Sequence, residues 1–115
     1  DTPDGTAVRD YIHVEDLCEA HLVVLEALRE GKGSGAYNVG TGVGHSVKEV
    51  LAEVKKVSGV DFPVREVARR PGDAAVLVAD SSRLKKEFGW EPKHSSLSEI
   101  VESAWGWHKN HPDGY

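Results

Sequence analysis

The sequence predicts an α/β fold, on three observations. Helix-period and short extended patterns alternate along its 115 residues. Glycine clusters punctuate the changes of pattern. Two Ser-x-x-Glu signatures, Ser46–Glu49 and Ser96–Glu99, each stand just ahead of an apolar helical run. No internal repeat or low-complexity segment interrupts this order.

Residues 1 to 8 are polar and read as a loop, and Tyr11, Ile12 and Val14 as a short extended stretch. A helix is expected over Val14 to Leu28. Leu17, Ala20, His21, Val24, Leu25 and Leu28 recur at three- and four-residue steps and should form its buried face. Glu15, Asp16 and Glu19 suit the positive end of its dipole. Gly31, Gly33 and Gly35 end it. Ala36 to Val39 reads as a buried strand and Gly40 to Gly44 as a turn. Ser46 and Glu49 cap a helix running to about Ser58, with Gly59 placed to close it. Phe62 to Ala68 and Val76 to Ala79 read as strands around a charged loop. Asp80 or Ser81 should cap a short helix stopped by Gly89. Ser96 and Glu99 open the last helix, about Leu97 to Lys109, with Trp105 on its apolar side and Trp107 at the edge.

Composition narrows the function. Hydrophobic residues are 39% and charged residues 29% of the chain, as in ordinary globular proteins. A formal charge of −5, from 14 basic and 19 acidic groups, disfavours a general nucleic-acid or acidic-membrane surface. It leaves room for one anionic ligand held by local arginines. No run approaches the length a membrane helix needs. The single cysteine, Cys18, has no internal partner; burial in the first helix and a reducing, cytoplasmic setting are expected. The sequence begins at Asp1 and contains no methionine, so a piece of a longer protein is expected.

Gly40-Thr41-Gly42-Val43-Gly44 invites comparison with a dinucleotide fingerprint, but its spacing is G-x-G-x-G, not G-x-G-x-x-G. Three readings stay open: a cofactor-phosphate site, a turn that lets backbone approach a ligand, and a purely structural turn. The histidines are scattered and lack metal-ligand spacing, so no metal site is expected. His13 should be a packed, hydrogen-bonded histidine. No nucleophile elbow or acid–base pair is visible, so no catalytic residue is expected.

Arg9 lies beside Asp10, and Arg69 and Arg70 lie in a Pro-Gly loop beside Asp73. Guanidinium forks hold phosphate oxygens, and a neighbouring carboxylate can accept from ribose hydroxyls. The two segments could form a nucleotide-diphosphate clamp, or simply loop-fixing salt bridges.

The run from Asp4 to Leu17 (DGTAVRDYIHVEDL), the run from Tyr37 to Val47 (YNVGTGVGHSV), Arg69-Arg70-Pro71-Gly72-Asp73, and the tail from Trp105 to Tyr115 resemble the UDP-glucose 4-epimerase family. The order and spacing of these motifs resemble the C-terminal part of that family, within the extended short-chain dehydrogenase/reductases. The resemblance implies one Rossmann-sheet strand and helix plus a small mixed α/β substrate-binding lobe. Residues 1–60 would end the Rossmann domain and border the substrate cleft, and residues 61–115 would form the lobe. It implies a homodimeric parent enzyme that interconverts UDP-galactose and UDP-glucose by transient NAD-dependent oxidation at C4. NAD and the catalytic Tyr-x-x-x-Lys pair would belong mainly to the N-terminal part, so this chain alone should be inactive. By the same resemblance, Arg9 and Arg70 would hold the UDP diphosphate and Asp73 the ribose. Leu77 stands where the family varies with substrate breadth, so tolerance of N-acetylated sugars stays open. A related NAD-dependent nucleotide-sugar epimerase or dehydratase, or a non-catalytic nucleotide-sugar-binding module, is the alternative.

Overall fold

The computed structural model describes residues 2–115; Asp1, at the head of the expected opening loop, lies outside them. The chain is mixed α/β. Its elements run β1 (Val8–Asp10), α1 (Val14–Arg29), β2 (Gly44–Ser46), α2 (Val47–Ser58), β3 (Val76–Leu77), α3 (Ser82–Phe88) and α4 (Leu97–Asn110). The sheet order is β2-β1-β3. β1 pairs antiparallel with β2 and parallel with β3. The sheet therefore takes strands from both sides of residue 60.

The helices follow their local signals. His13 caps α1 with its ring, Nδ1 accepting from the Glu15 N–H at 3.0 Å, and is buried as expected of a packed histidine. Ser46 and Glu49 make the full reciprocal capping box of α2, at 3.1 and 2.6 Å. Gly59 and Gly89 end α2 and α3 in the left-handed conformation, at φ 69° and 67°. At α4, Ser96 Oγ accepts the Glu99 N–H at 3.2 Å.

The strands depart from the sequence expectation. The first lies at Val8–Asp10, inside and just beyond the expected loop and ahead of Tyr11. Residues 36–39 and 62–68 form no strand. A strand exists only where a neighbour completes its ladder, and among the described residues none pairs with either segment. Residues 36–40 are instead held by side chains. Arg83 Nη1 donates to the Ala36 carbonyl at 3.2 Å, and Ser81 Oγ to the Gly40 carbonyl at 3.1 Å. The Tyr37 hydroxyl donates to Glu87 at 2.5 Å, while Arg83 pairs with Glu87 at 2.8 Å and lies 4.5 Å over the Tyr37 ring.

The core sits between α1, α3 and the segment after α3. Ala20, Leu84 and Trp90 are buried, with Ile12, Val23, Val24, Tyr37, Val39 and Phe88 packed around them. Asp16 is buried beside them. Its carboxylate accepts the N–H groups of Lys93 and His94, both at 2.9 Å, and its carbonyl accepts the Trp90 indole N–H at 3.2 Å. Those bonds anchor the 90–94 segment on α1. Separately, α2 packs on α4, and Tyr11, Val50, Val54, Ile100, Val101 and Trp105 line an apolar groove there.

Two expectations about α1 are corrected. Its buried positions are Asp16, Ala20 and Ala27, whereas His21, Leu25 and Leu28 are exposed. Ala20, as expected, is buried against Leu84 of α3 and Trp90, with Val24 packed on them. Cys18 is exposed rather than buried, because it lies off the Asp16–Ala20–Ala27 stripe. The radius of gyration is 16.7 Å, against about 13 Å for a compact chain of this length. The accessible surface is 8221 Å², against about 6,200 Å² for a compact monomer of this mass. Leu22, Leu25 and Leu28 of α1 contribute to that open apolar surface.

Candidate functional site

The pairing register sorts the sheet residues onto two faces. Val8, Asp10, Gly44, Ser46 and Val76 belong to one, by alternation along each strand and by cross-strand pairing. Arg9, His45 and Leu77 belong to the other, since Arg9 is the register partner of both. They form a row of imidazole, guanidinium and isobutyl groups across three strands.

The first face is occupied by its own packing. A methyl group built on Gly44 would lie 2.5 Å from Val8 Cγ1 and 2.8 Å from Val78 Cγ2. One built on Gly40 would lie 2.6 Å from both Ala79 Cβ and an Asp10 carboxylate oxygen. Gly42, between them, takes φ 80°. The glycines thus serve a close approach of protein to protein and one tight turn.

Asp10 organises that loop. Its carboxylate accepts the Thr41 N–H at 2.9 Å, the Thr41 hydroxyl at 2.7 Å, the Gly42 N–H at 2.9 Å and the Ala79 N–H at 3.3 Å. Burial alone would raise its pKa. The hydrogen bonds from Thr41, Gly42 and Ala79 outweigh burial and hold it below the usual carboxylate value. Asp4 plays a similar part at the start of α2. It accepts the Ser46 hydroxyl at 2.5 Å, and the Thr6 N–H and hydroxyl at 2.8 and 2.7 Å. The Ser46 bond first, then those of Thr6, lower its pKa to about 2.

Arg9 is half-buried, and among the described residues no carboxylate pairs with it. Its Nη1 donates to the Val8 carbonyl at 2.8 Å. Its sequence neighbour Asp10 is committed to the glycine loop on the opposite face. Arg70 and Asp73 meet each other: Arg70 Nε lies 3.0 Å from Asp73 Oδ2, and the Asp73 N–H reaches the Arg70 carbonyl at 3.3 Å around Gly72. The Arg70 side chain is 85% exposed, so its two Nη groups face outward. Leu77 is exposed beside Arg9. The register brings Arg9 and Leu77 together, and the loop ion pair brings Arg70 and Asp73 together. The more apolar grooves lie elsewhere, one between the start of α1 and α4 at His13, Ile100 and Trp107, one on α1, and a smaller one between α2 and α4.

Sequence reasoning missed the part played by Asp10, whose one trace was an acid beside Arg9 with Thr41-Gly42 downstream. It also missed His45, whose place beside Arg9 depends on a pairing across 36 positions. The glycine loop does not fit a dinucleotide cradle, because Gly40 and Gly44 are filled by protein atoms.

The profile described as GDP-mannose 4,6 dehydratase matches residues 2–104, and the chain belongs to that family. It is 46% identical, over its whole length and 35% of the relative's, to the UDP-glucose 4-epimerase of Lactobacillus helveticus. It is 48% identical, over its whole length and 27% of the relative's, to the probable UDP-arabinose 4-epimerase 1 of Oryza sativa subsp. japonica. Among solved structures, it superposes on the UDP-glucose 4-epimerase of Bifidobacterium longum in complex with NAD+ and UDP. There the TM-score is 0.86 and the identity 40%, covering the whole of this chain and 34% of that one. The chain thus spans about a third of the length of the relatives it matches.

Proposed function

We propose that this chain supplies part of the substrate site of a UDP-hexose 4-epimerase, which interconverts UDP-galactose and UDP-glucose through transient NAD-dependent oxidation at C4. The observation that carries the reading is Arg9: a half-buried cation with no carboxylate partner among the described residues, in a chain nearly half identical to a UDP-glucose 4-epimerase. A half-buried charge without a partner is costly unless a ligand offsets it.

In this reading Arg9 and Arg70 hold the diphosphate, Asp73 accepts from the ribose hydroxyls, and Leu77 borders the sugar. The Asp73 carboxylate pre-orients the Arg70 fork through Nε, leaving Nη1 and Nη2 for phosphate oxygens. Residues 1–60 border the cofactor-side domain and residues 61–115 form the substrate lobe. NAD and the oxidation chemistry belong to parts of the enzyme outside this chain. The protein works as a homodimer in the cytoplasm; the described residues contain no helix long and apolar enough to cross a membrane.

The rice relative's similar identity favours a second reading, a 4-epimerase acting on a UDP-pentose. The test is turnover by the intact protein that carries this chain, supplied in turn with UDP-galactose, UDP-glucose and UDP-arabinose. Conversion of UDP-galactose to UDP-glucose is expected. Inactivity on both hexose nucleotides overturns the first reading, and turnover of UDP-arabinose alone establishes the second.

A further inference from the structure

His45 is the direct antiparallel partner of Arg9. Directly opposed residues on such a ladder project to the same face, with Cβ atoms about 5 Å apart. Gly44 and Ser46, on either side of it, turn to the opposite face. There Gly44 is closed in by Val8 and Val78, and Ser46 is bonded to Asp4. The His45 ring is thus the group that β2 offers beside Arg9. It is half-buried, and among the described residues its ring makes no hydrogen bond or ion pair. The other buried or half-buried histidines are engaged: His13 caps α1, and His94 lies 3.7 Å from Glu15 and 3.5 Å from Glu99. On the other side of Arg9, Leu77 offers only an apolar group.

We infer that His45 is a further positioning residue of the nucleotide-sugar site, donating a ring N–H to the phosphoryl group that Arg9 holds. The inference rests on the reading of Arg9 as a diphosphate ligand. An imidazole N–H is a neutral or cationic donor, so it adds a hydrogen bond to an oxyanion already facing a guanidinium. A residue of this kind binds substrate and transition state alike. Its loss therefore acts on KM and leaves kcat nearly as it was.

The experiment uses the intact protein with His45→Ala, His45→Gln and Arg9→Ala, and measures UDP affinity by calorimetry together with kcat and KM for UDP-galactose. His45→Ala is expected to weaken UDP binding and raise KM by about fivefold to tenfold. His45→Gln, whose amide can donate from a similar place, should recover most of the loss. An unchanged UDP affinity in His45→Ala, while Arg9→Ala loses it, overturns the inference and leaves the function standing. Equal losses in both His45 variants with a lowered thermal midpoint make His45 a packing residue and also overturn it. If Arg9→Ala itself leaves UDP affinity unchanged, the nucleotide-sugar reading is what fails.

Discussion

Asp10 accepts two hydrogen bonds from Thr41, one from its backbone at 2.9 Å and one from its hydroxyl at 2.7 Å. With Gly42 and Ala79 added, one carboxylate fixes the path of the chain at two places far apart in sequence. Asp10→Ala leaves three backbone donors without that acceptor. The site is partly open to water, which limits the penalty, so a loss of about 2 kcal/mol is expected. Urea unfolding of the intact protein measures it. A loss below a few tenths of a kcal/mol shows that the carboxylate is replaceable by solvent.

The glycines beside it should separate by mechanism. Gly40→Ala drives a methyl to 2.6 Å from Ala79 Cβ and from the Asp10 carboxylate. Overpacking of this kind costs about 1–3 kcal/mol. Gly42→Ala meets nothing within 4 Å, and its penalty comes only from φ 80°, about 1 kcal/mol. Thermal unfolding of the two variants should rank Gly40→Ala as the more damaging. The reverse order assigns the loop's glycine requirement to backbone conformation.

The Asp4 turn gives a pH signature. Its folded pKa is about 2 and its reference value 3.8. A carboxylate with a depressed folded pKa stabilises fully above its unfolded pKa, and loses that contribution as pH falls through the folded value. The stability gap between wild type and Asp4→Asn should therefore be constant above about pH 5 and shrink between about pH 4 and pH 2. Urea midpoints measured across that range test it. A gap independent of pH removes Asp4 as the group responsible.

Asp16 is the most committed acid of the core, 1% exposed and bonded to two backbone N–H groups. Asp16→Ala deletes the acceptor and leaves two part-buried donors that water can reach only in part, at an expected cost of about 2 kcal/mol. Asp16→Asn keeps one oxygen but turns an NH₂ toward a donor, so it should recover only part. Chemical denaturation of both variants gives the order.

These features mark what could be read from the sequence. The helix ends were legible because caps are local: Ser46 with Glu49, and Gly59 and Gly89 in left-handed turns, lie within four residues of what they terminate. The strands were not, because they are two or three residues long and defined by distant partners. Val76–Leu77 is a strand because Val8 and Arg9 lie alongside it, and residues 62–68 lack any such neighbour among those described. The periodicity of α1 picked out Ala20, which is buried, and Val24, which packs on the core, but it also picked out His21, Leu25 and Leu28, which are exposed, and it passed over Ala27. For the candidate site, arginine beside glycine and proline was visible as residue type. His45 was not, since its place beside Arg9 is a property of register.

Arg70 and Arg69 are adjacent arginines with different expected roles. Arg70 is fixed by Asp73 at 3.0 Å, while among the described residues Arg69 has no ion pair. The Arg70–Asp73 pair is solvent-exposed, so breaking it should cost the fold under about 1 kcal/mol. Its consequence should fall on the ligand, because the ion pair holds the fork in one orientation and leaves two nitrogens to meet phosphate oxygens. Arg70→Ala is expected to weaken UDP binding by about tenfold or more, the worth of a charge-assisted bond. Arg69→Ala should change it by about twofold at most, through loss of general positive charge. Calorimetric titration of UDP into both variants of the intact protein compares them, and equal losses remove Arg70 from the clamp. Asp73→Ala adds the third corner. If Asp73 both orients Arg70 and accepts from ribose, its removal should weaken UDP binding more than uridine binding, because only UDP needs the oriented guanidinium.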